Sequence, residues 1–262
     1  MPKLKILLAA LLVVTIAVTL LLVLTPTPPP SASRPAEATG LVMRGYEAGH
    51  LTWEAEADRG EVASATSALS GIVLRVFSGS DTAVSVTARS LTQETGTITL
   101  DGDVRGETDD GLKISSERMT WRESERKLES GSTLLSLGSD ELAAEAFAYD
   151  TRLQQAMLVG VSGTLHREAT FVLSSDQGQI SRDQIVLGGN VRAASDDETL
   201  RSDELETDFH GEDVVLRGAV AVSGSGLELT ADSLRLTPEG RTATGNVSVD
   251  VEFSAREESH GA

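Results

Sequence analysis

The residues able to do acid–base or metal chemistry are few and dispersed. The four histidines, His50, His166, His210 and His260, form no His-x-x-x-His or Glu-x-x-His pairing that would place two ligands on one element. With no cysteine in the chain there is no thiolate site, cysteine nucleophile or disulfide framework. A Gly-x-Ser-x-Gly elbow, a phosphate loop and a dinucleotide fingerprint are all missing. Val222-Ser-Gly-Ser-Gly226 lies between two strand-like runs and reads as a turn. Asp109-Asp110 and Asp196-Asp197 could offer oxygens to calcium, but paired turn carboxylates are ordinarily just solvated. The sequence points away from an enzyme, and it implies neither a cofactor nor a metal.

One acidic residue does recur. A small residue, an acid, any residue and an apolar one appear as Ser116-Glu117-Arg-Met119, Ala144-Glu145-Ala-Phe147, Ser202-Asp203-Glu-Leu205 and Ala231-Asp232-Ser-Leu234, with Ser175-Asp176 a degenerate copy. Between them runs a second phrase: Gly102-Asp-Val104, Gly189-Asn-Val191, Gly218-Ala-Val220 and Gly245-Asn-Val247, with weaker copies at Gly131 and Gly160. These glycines are 29, 29, 29, 29 and 27 residues apart, and the acids 28, 31, 27 and 29. Two independent anchors sharing one period mark an internal repeat.

Each repeat reads as two strands, because short alternating apolar runs are divided by Gly, Asp, Ser or Pro-Glu-Gly turns. Within the acid-phrase strand the apolar phase switches, from Leu112 and Ile114 to Met119 and Trp121. An unbroken strand would send its second half to the opposite face. A β-bulge or bend at the small–acid pair would keep both halves facing inward and leave the acid at a solvated corner. Turns are expected at 122–127, 210–213 and 237–240. About fourteen strands could form a long antiparallel sheet folded over itself, or successive coils of a parallel β-helix.

The first 40 residues are a different material. They carry three Lys/Arg against one Glu, a balance of +2; the remainder holds 19 against 39, or -20, of the total of -18. Such an acidic chain repels phosphates and is not a nucleic-acid binder. Aromatics make up only 3% against 40% hydrophobic residues, so the core must be aliphatic. Ile6 to Leu24 is free of charge and, as a helix, would span roughly 28 Å, close to a bilayer core. Lys3 and Lys5 precede it, which places the N-terminus in the cytoplasm. The run is longer than the apolar region of a cleaved signal peptide, and Thr25-Pro-Thr-Pro-Pro-Pro30 follows it. The expected organisation is a cytoplasmic stub (1–5), a transmembrane helix (6–24), a Pro/Ser-rich spacer (25–40), an all-β domain (41–254) and a polar tail (255–262).

The anchor, the repeat and the opening segment Leu41-Val-Met-Arg-Gly-Tyr46-Glu-Ala-Gly-His-Leu51-Thr-Trp53-Glu-Ala55-Glu-Ala57 together resemble the LptC family. That family is the membrane-anchored periplasmic component of lipopolysaccharide export, and the repeat resembles the wider OstA-like group that includes LptA. The resemblance runs along the whole chain. It implies an antiparallel β-jellyroll, or β-taco, whose apolar trough holds acyl chains. Residues 41–262 are longer than a minimal member, which leaves a fused or spare-bridge role open.

On that resemblance, Met119, Trp121, Phe147, Tyr149, Leu205, Leu234 and Leu236 point into the trough, joined by Val104, Val191, Val220 and Val247. The plainer expectation for the same residues is a closed core. Lipopolysaccharide would arrive from an inner-membrane ABC transporter near residues 41–57 and leave to a soluble LptA-like bridge near 242–254. The protein would be a single-pass inner-membrane protein with its main domain in the periplasm. Acyl burial at roughly 0.8 kcal/mol per CH₂ would supply affinity, the head group remaining outside the acidic domain. The competing expectation is an anchored structural or adhesive β-helix protein without cargo.

Overall fold

The structure is a computed structural model that describes residues 36–62, 67–166, 170–182, 184–208, 213–224 and 226–251. The expected stub, membrane helix and polar tail lie outside these residues, as does most of the spacer. Among the described residues no helix is long and apolar enough to cross a membrane. All regular structure among them is β, in seventeen strands of one antiparallel sheet. These are β1 (Ala36–Glu47), β2 (His50–Val62), β3 (Ser67–Ser78), β4 (Asp81–Glu94), β5 (Thr97–Thr108), β6 (Lys113–Arg122), β7 (Lys127–Ser130), β8 (Thr133–Leu137) and β9 (Asp140–Asp150). There follow β10 (Gln155–His166), β11 (Thr170–Ser181), β12 (Gln184–Ala194), β13 (Thr199–Asp208), β14 (Val214–Gly224), β15 (Leu227–Thr237), β16 (Gly240–Thr244) and β17 (Ser248–Val251). Residues 36–40, assigned to the spacer by composition, are therefore strand.

Each long strand pairs antiparallel with the next, so the chain meanders. This pairing does not fit the coils of a parallel β-helix. β7 and β8 both lie between β6 and β9, two halves of one strand interrupted at Gly131-Ser132. β16 and β17 likewise share β15. The expected turns at 122–127 and 237–240 join β6 to β7 and β15 to β16. Of the third, 210–213, only Asp213 lies within the described residues.

Three of the repeats bend at the expected place, by a different device. Between Asp101 and Val104, β5 carries two residues, Gly102 and Asp103, against the single Glu117 of β6. The same mismatch sets Gly189-Asn190 against Asp203 and Gly218-Ala219 against Asp232. The extra residue thus belongs to the Gly-x-Val strand, and the bulge expected at the small–acid pair sits opposite it. Both members of the Gly-x pair are left-handed, at φ 79° and 49° for Gly102-Asp103 and 71° and 50° for Gly189-Asn190. A glycine there avoids the steric penalty of a Cβ. The acids are at an outward corner, as the phase switch implies: Glu117, Glu145, Asp176, Asp203 and Asp232 are exposed.

The bends fold the sheet on itself. A straight strand as long as β5 would span roughly 40 Å. Yet Gln154, beside the row Thr97–Arg122–Lys127–Asp150 at one end of the strands, hydrogen-bonds Asp109, just beyond the other end of β5. The two halves of each strand therefore face each other across one core cluster extending from Trp53 to Leu234.

Candidate functional site

Two apolar rows line the inside of the fold. One follows the register Leu91–Leu100–Met119–Ser130–Phe147–Leu158–Gly178–Leu187–Leu205–Leu216–Leu234. The other, beyond the corner, follows Ala55–Leu74–Val86–Gly106–Ile114–Leu135–Leu142–Gly163–Leu173–Ala193–Leu200–Val222. Strand alternation brings each of these side chains to the same face, and the bulge preserves that face across the bend. No ionisable group lies in either row.

Of the eleven residues assigned to the interior, Val104, Met119, Trp121, Phe147, Tyr149, Val191, Leu205, Val220 and Leu234 are buried, none more than 3% exposed. Leu236 is half-buried at the edge of the cluster, and Val247 is 46% exposed beyond β16. The nine buried residues form part of one closely packed core.

Sequence reasoning missed where the two halves meet. Along this rim the Trp53 indole N–H donates to Glu123 Oε1 at 3.2 Å. Arg126 donates to Glu47 Oε2 at 3.5 Å and to the Phe77 carbonyl. Gln154 donates to Asp109 Oδ2 at 3.4 Å, and Arg241 binds Glu198 through both nitrogens of its fork, one at 3.0 Å. Partners 43 to 79 residues apart in the chain are joined in this way. Glu47, Trp53, Phe77 and Arg241 lie on strands and the other partners in or beside turns; Arg126 (57°) and Gln154 (52°) have a left-handed φ, and no sequence signal marks the set.

The polar atoms left without a partner gather just inside. Among the described residues the buried side-chain atoms lacking a hydrogen bond are Thr52 Oγ1, Trp121 Nε1, Arg126 Nε and Tyr149 Oη. Each such atom costs about 1–3 kcal/mol when it forgoes water. Trp121 and Tyr149 flank Leu128 on one register row, two strands apart. Burial pushes the Tyr149 hydroxyl well above the usual phenol range, and the carboxylates of Asp110, Asp109 and Asp150 push the same way. It stays protonated and remains a donor.

The outside is the reverse, charged and solvated. Arg44, Glu54, Arg75 and Glu56 form a ladder across β1, β2 and β3, and Arg217 bridges Glu204 and Glu206. Exposed pairs of this kind contribute about 0–1 kcal/mol each. At the corners the acids pack over glycine: a Cβ on Gly189 would fall 2.8 Å from Asp176 Oδ2, and one on Gly160 2.7 Å from the Glu145 carboxyl carbon. Asn190 and Asn246 add hydrogen bonds to Asp176 and Asp232. The recurring acid is thus a structural corner piece. Asp110 accepts from Thr108, and among the described residues no three His, Asp or Glu side chains could hold a metal ion. His50 and His166 are exposed; His210 and His260 lie outside the described residues. The sequence matches no family model and shows no significant match to a curated protein.

Proposed function

We propose that the chain is a membrane-anchored periplasmic lipid carrier of the lipopolysaccharide-export type, and that its folded sheet is a β-jellyroll of the β-taco kind. The observation that carries this reading is the pair of rows free of ionisable groups and almost wholly apolar, one repeat after another, meeting at a rim tied by side-chain hydrogen bonds. An interior of this kind suits acyl chains, which need length and apolarity and no specific polar chemistry. The rows run across the strands, so cargo could pass along them from one end of the sheet to the other. Among the described residues the free edges are β1 and the β16/β17 pair. An unpaired edge can accept a further strand. On this reading β1 meets the ABC transporter and β16/β17 meets the soluble bridge.

The test is photo-crosslinking in cells from a probe at Met119 or Phe147. A lipopolysaccharide adduct is the expected result; no adduct from any interior position overturns the reading. The closely packed core favours a second reading, a structural β-repeat protein without cargo, and the same experiment separates the two.

A further inference from the structure

We propose that the rim between Trp53 and Gln154 is a mouth that opens to admit an acyl chain, and that Trp121 and Tyr149 just inside it each offer a donor to carbonyl oxygens at the chain's head end. This rests on the lipid-carrier reading and adds to it a point of admission and a preferred ligand chemistry: an amphiphile with an ester or amide carbonyl where the apolar chain begins.

Three observations converge on this stretch. The first is that the hydrogen bonds across it among the described residues all come from side-chain donors: Trp53 to Glu123, Arg126 to Glu47 and the Phe77 carbonyl, and Gln154 to Asp109. Among the described residues no strand pairing crosses here, so the rim can part without breaking the sheet. The second is charge. Carboxylates gather here: Asp109, Asp110 and Asp150 all act on the Tyr149 hydroxyl, while Glu47 and Glu123 are tied to Arg126 and Trp53, and like charges freed of their donors repel. The third lies beneath. Trp121 Nε1 and Tyr149 Oη are buried donors without a partner, on residues 0% and 2% exposed. The backbones of the two residues stand about 10 Å apart by strand spacing, with Leu128 between them. Two unspent donors at the head of an apolar row match a ligand that carries carbonyl oxygens where its hydrocarbon begins.

The test uses the full chain, whose lack of cysteine allows clean labelling. In Asp109→Cys/Gln154→Cys a short bis(methanethiosulfonate) cross-linker joins the two thiols through reducible disulfides, releasing sulfinate, and ties the mouth shut. Binding of radiolabelled dipalmitoyl phosphatidylcholine is expected to be lost when tied and restored on reduction. Separately, Tyr149→Phe is expected to weaken binding of this ester-linked lipid about five- to tenfold while leaving its ether-linked analogue unchanged; Trp121→Phe should do the same. Equal binding by tied and reduced protein, or equal losses for ester and ether lipids, overturns the proposal and leaves the carrier reading standing. Failure of the untied, unsubstituted chain to bind any acyl lipid overturns both.

Discussion

Gly189-Asn190-Val191 and Gly245-Asn246-Val247 are the same phrase in two settings. In both, the asparagine amide donates to the aspartate of the preceding strand, Asp176 or Asp232, and the glycine is left-handed. Val191 is 2% exposed, Val247 46%. The difference lies in the neighbours. β12 has β11 and β13 on its flanks, whereas among the described residues the β16/β17 pair has only β15. Val249 and Val251, which continue the inward positions, are 53% and 49% exposed for the same reason. A repeat unit cannot bury its own apolar face and depends on the next one to do so. The last unit is therefore where the interior reaches water and where a further strand would have most to bury.

Substitutions should separate the two settings. The largest effect is expected from Leu187→Ala or Leu216→Ala in the covered middle, a loss of about 2–5 kcal/mol. Val249→Ala at the edge should change stability by less than about 0.5 kcal/mol. Denaturant unfolding measures both, and equal losses would mean that the edge is covered in solution.

Next comes the corner glycine. Gly189→Ala forces a Cβ onto a left-handed backbone and against Asp176, for an expected cost of about 1–3 kcal/mol. Adding Asp176→Ala should recover the part due to crowding, leaving the backbone strain. Gly245→Ala should cost less, because its strand can shift at the free edge.

A smaller effect is expected at the rim. Arg126→Ala removes the tie to Glu47 and the Phe77 carbonyl, and should lower stability by about 1 kcal/mol. Arg44→Ala, on the exposed ladder, should fall within about 0.5 kcal/mol of the parent.

The smallest is a pH effect. Burial works to raise the Asp150 pKa, but the backbone N–H groups of Leu153 and Arg152 and the Arg152 guanidinium outweigh it and hold the carboxyl below its ordinary value. A depressed folded pKa contributes stability that is present above the unfolded value, near 3.8, and is lost as pH falls through the folded value. Asp150→Asn should thus flatten the acid limb of the unfolding midpoint below about pH 4 and leave the neutral region unchanged in slope.

Much of the strand architecture was legible in the order of residues. The five-residue step from Ile114 to Met119 requires a bend, since both side chains must face one core, and the bend is there. Glu117 and Asp232 read as corner acids, and corners they are. What could not be read was which strand carries the extra residue. Both members of a bulged pair show an irregular phase, and only register tells them apart. The rim was equally hidden: Arg126 and Glu47 are 79 residues apart, one in a turn and the other at the end of β1, and nothing in either segment marks them.

By itself the sequence determined the repeat, the inward face of each strand and the acidic exterior, because these follow from spacing and side-chain chemistry within one or two strands. Antiparallel pairing, the closing of the two halves into one core, the rim contacts and the exposure of Val247 were decided only by the tertiary structure. Each of those depends on what lies beside a residue in space, and a repeating phrase specifies its own strand without specifying its neighbours.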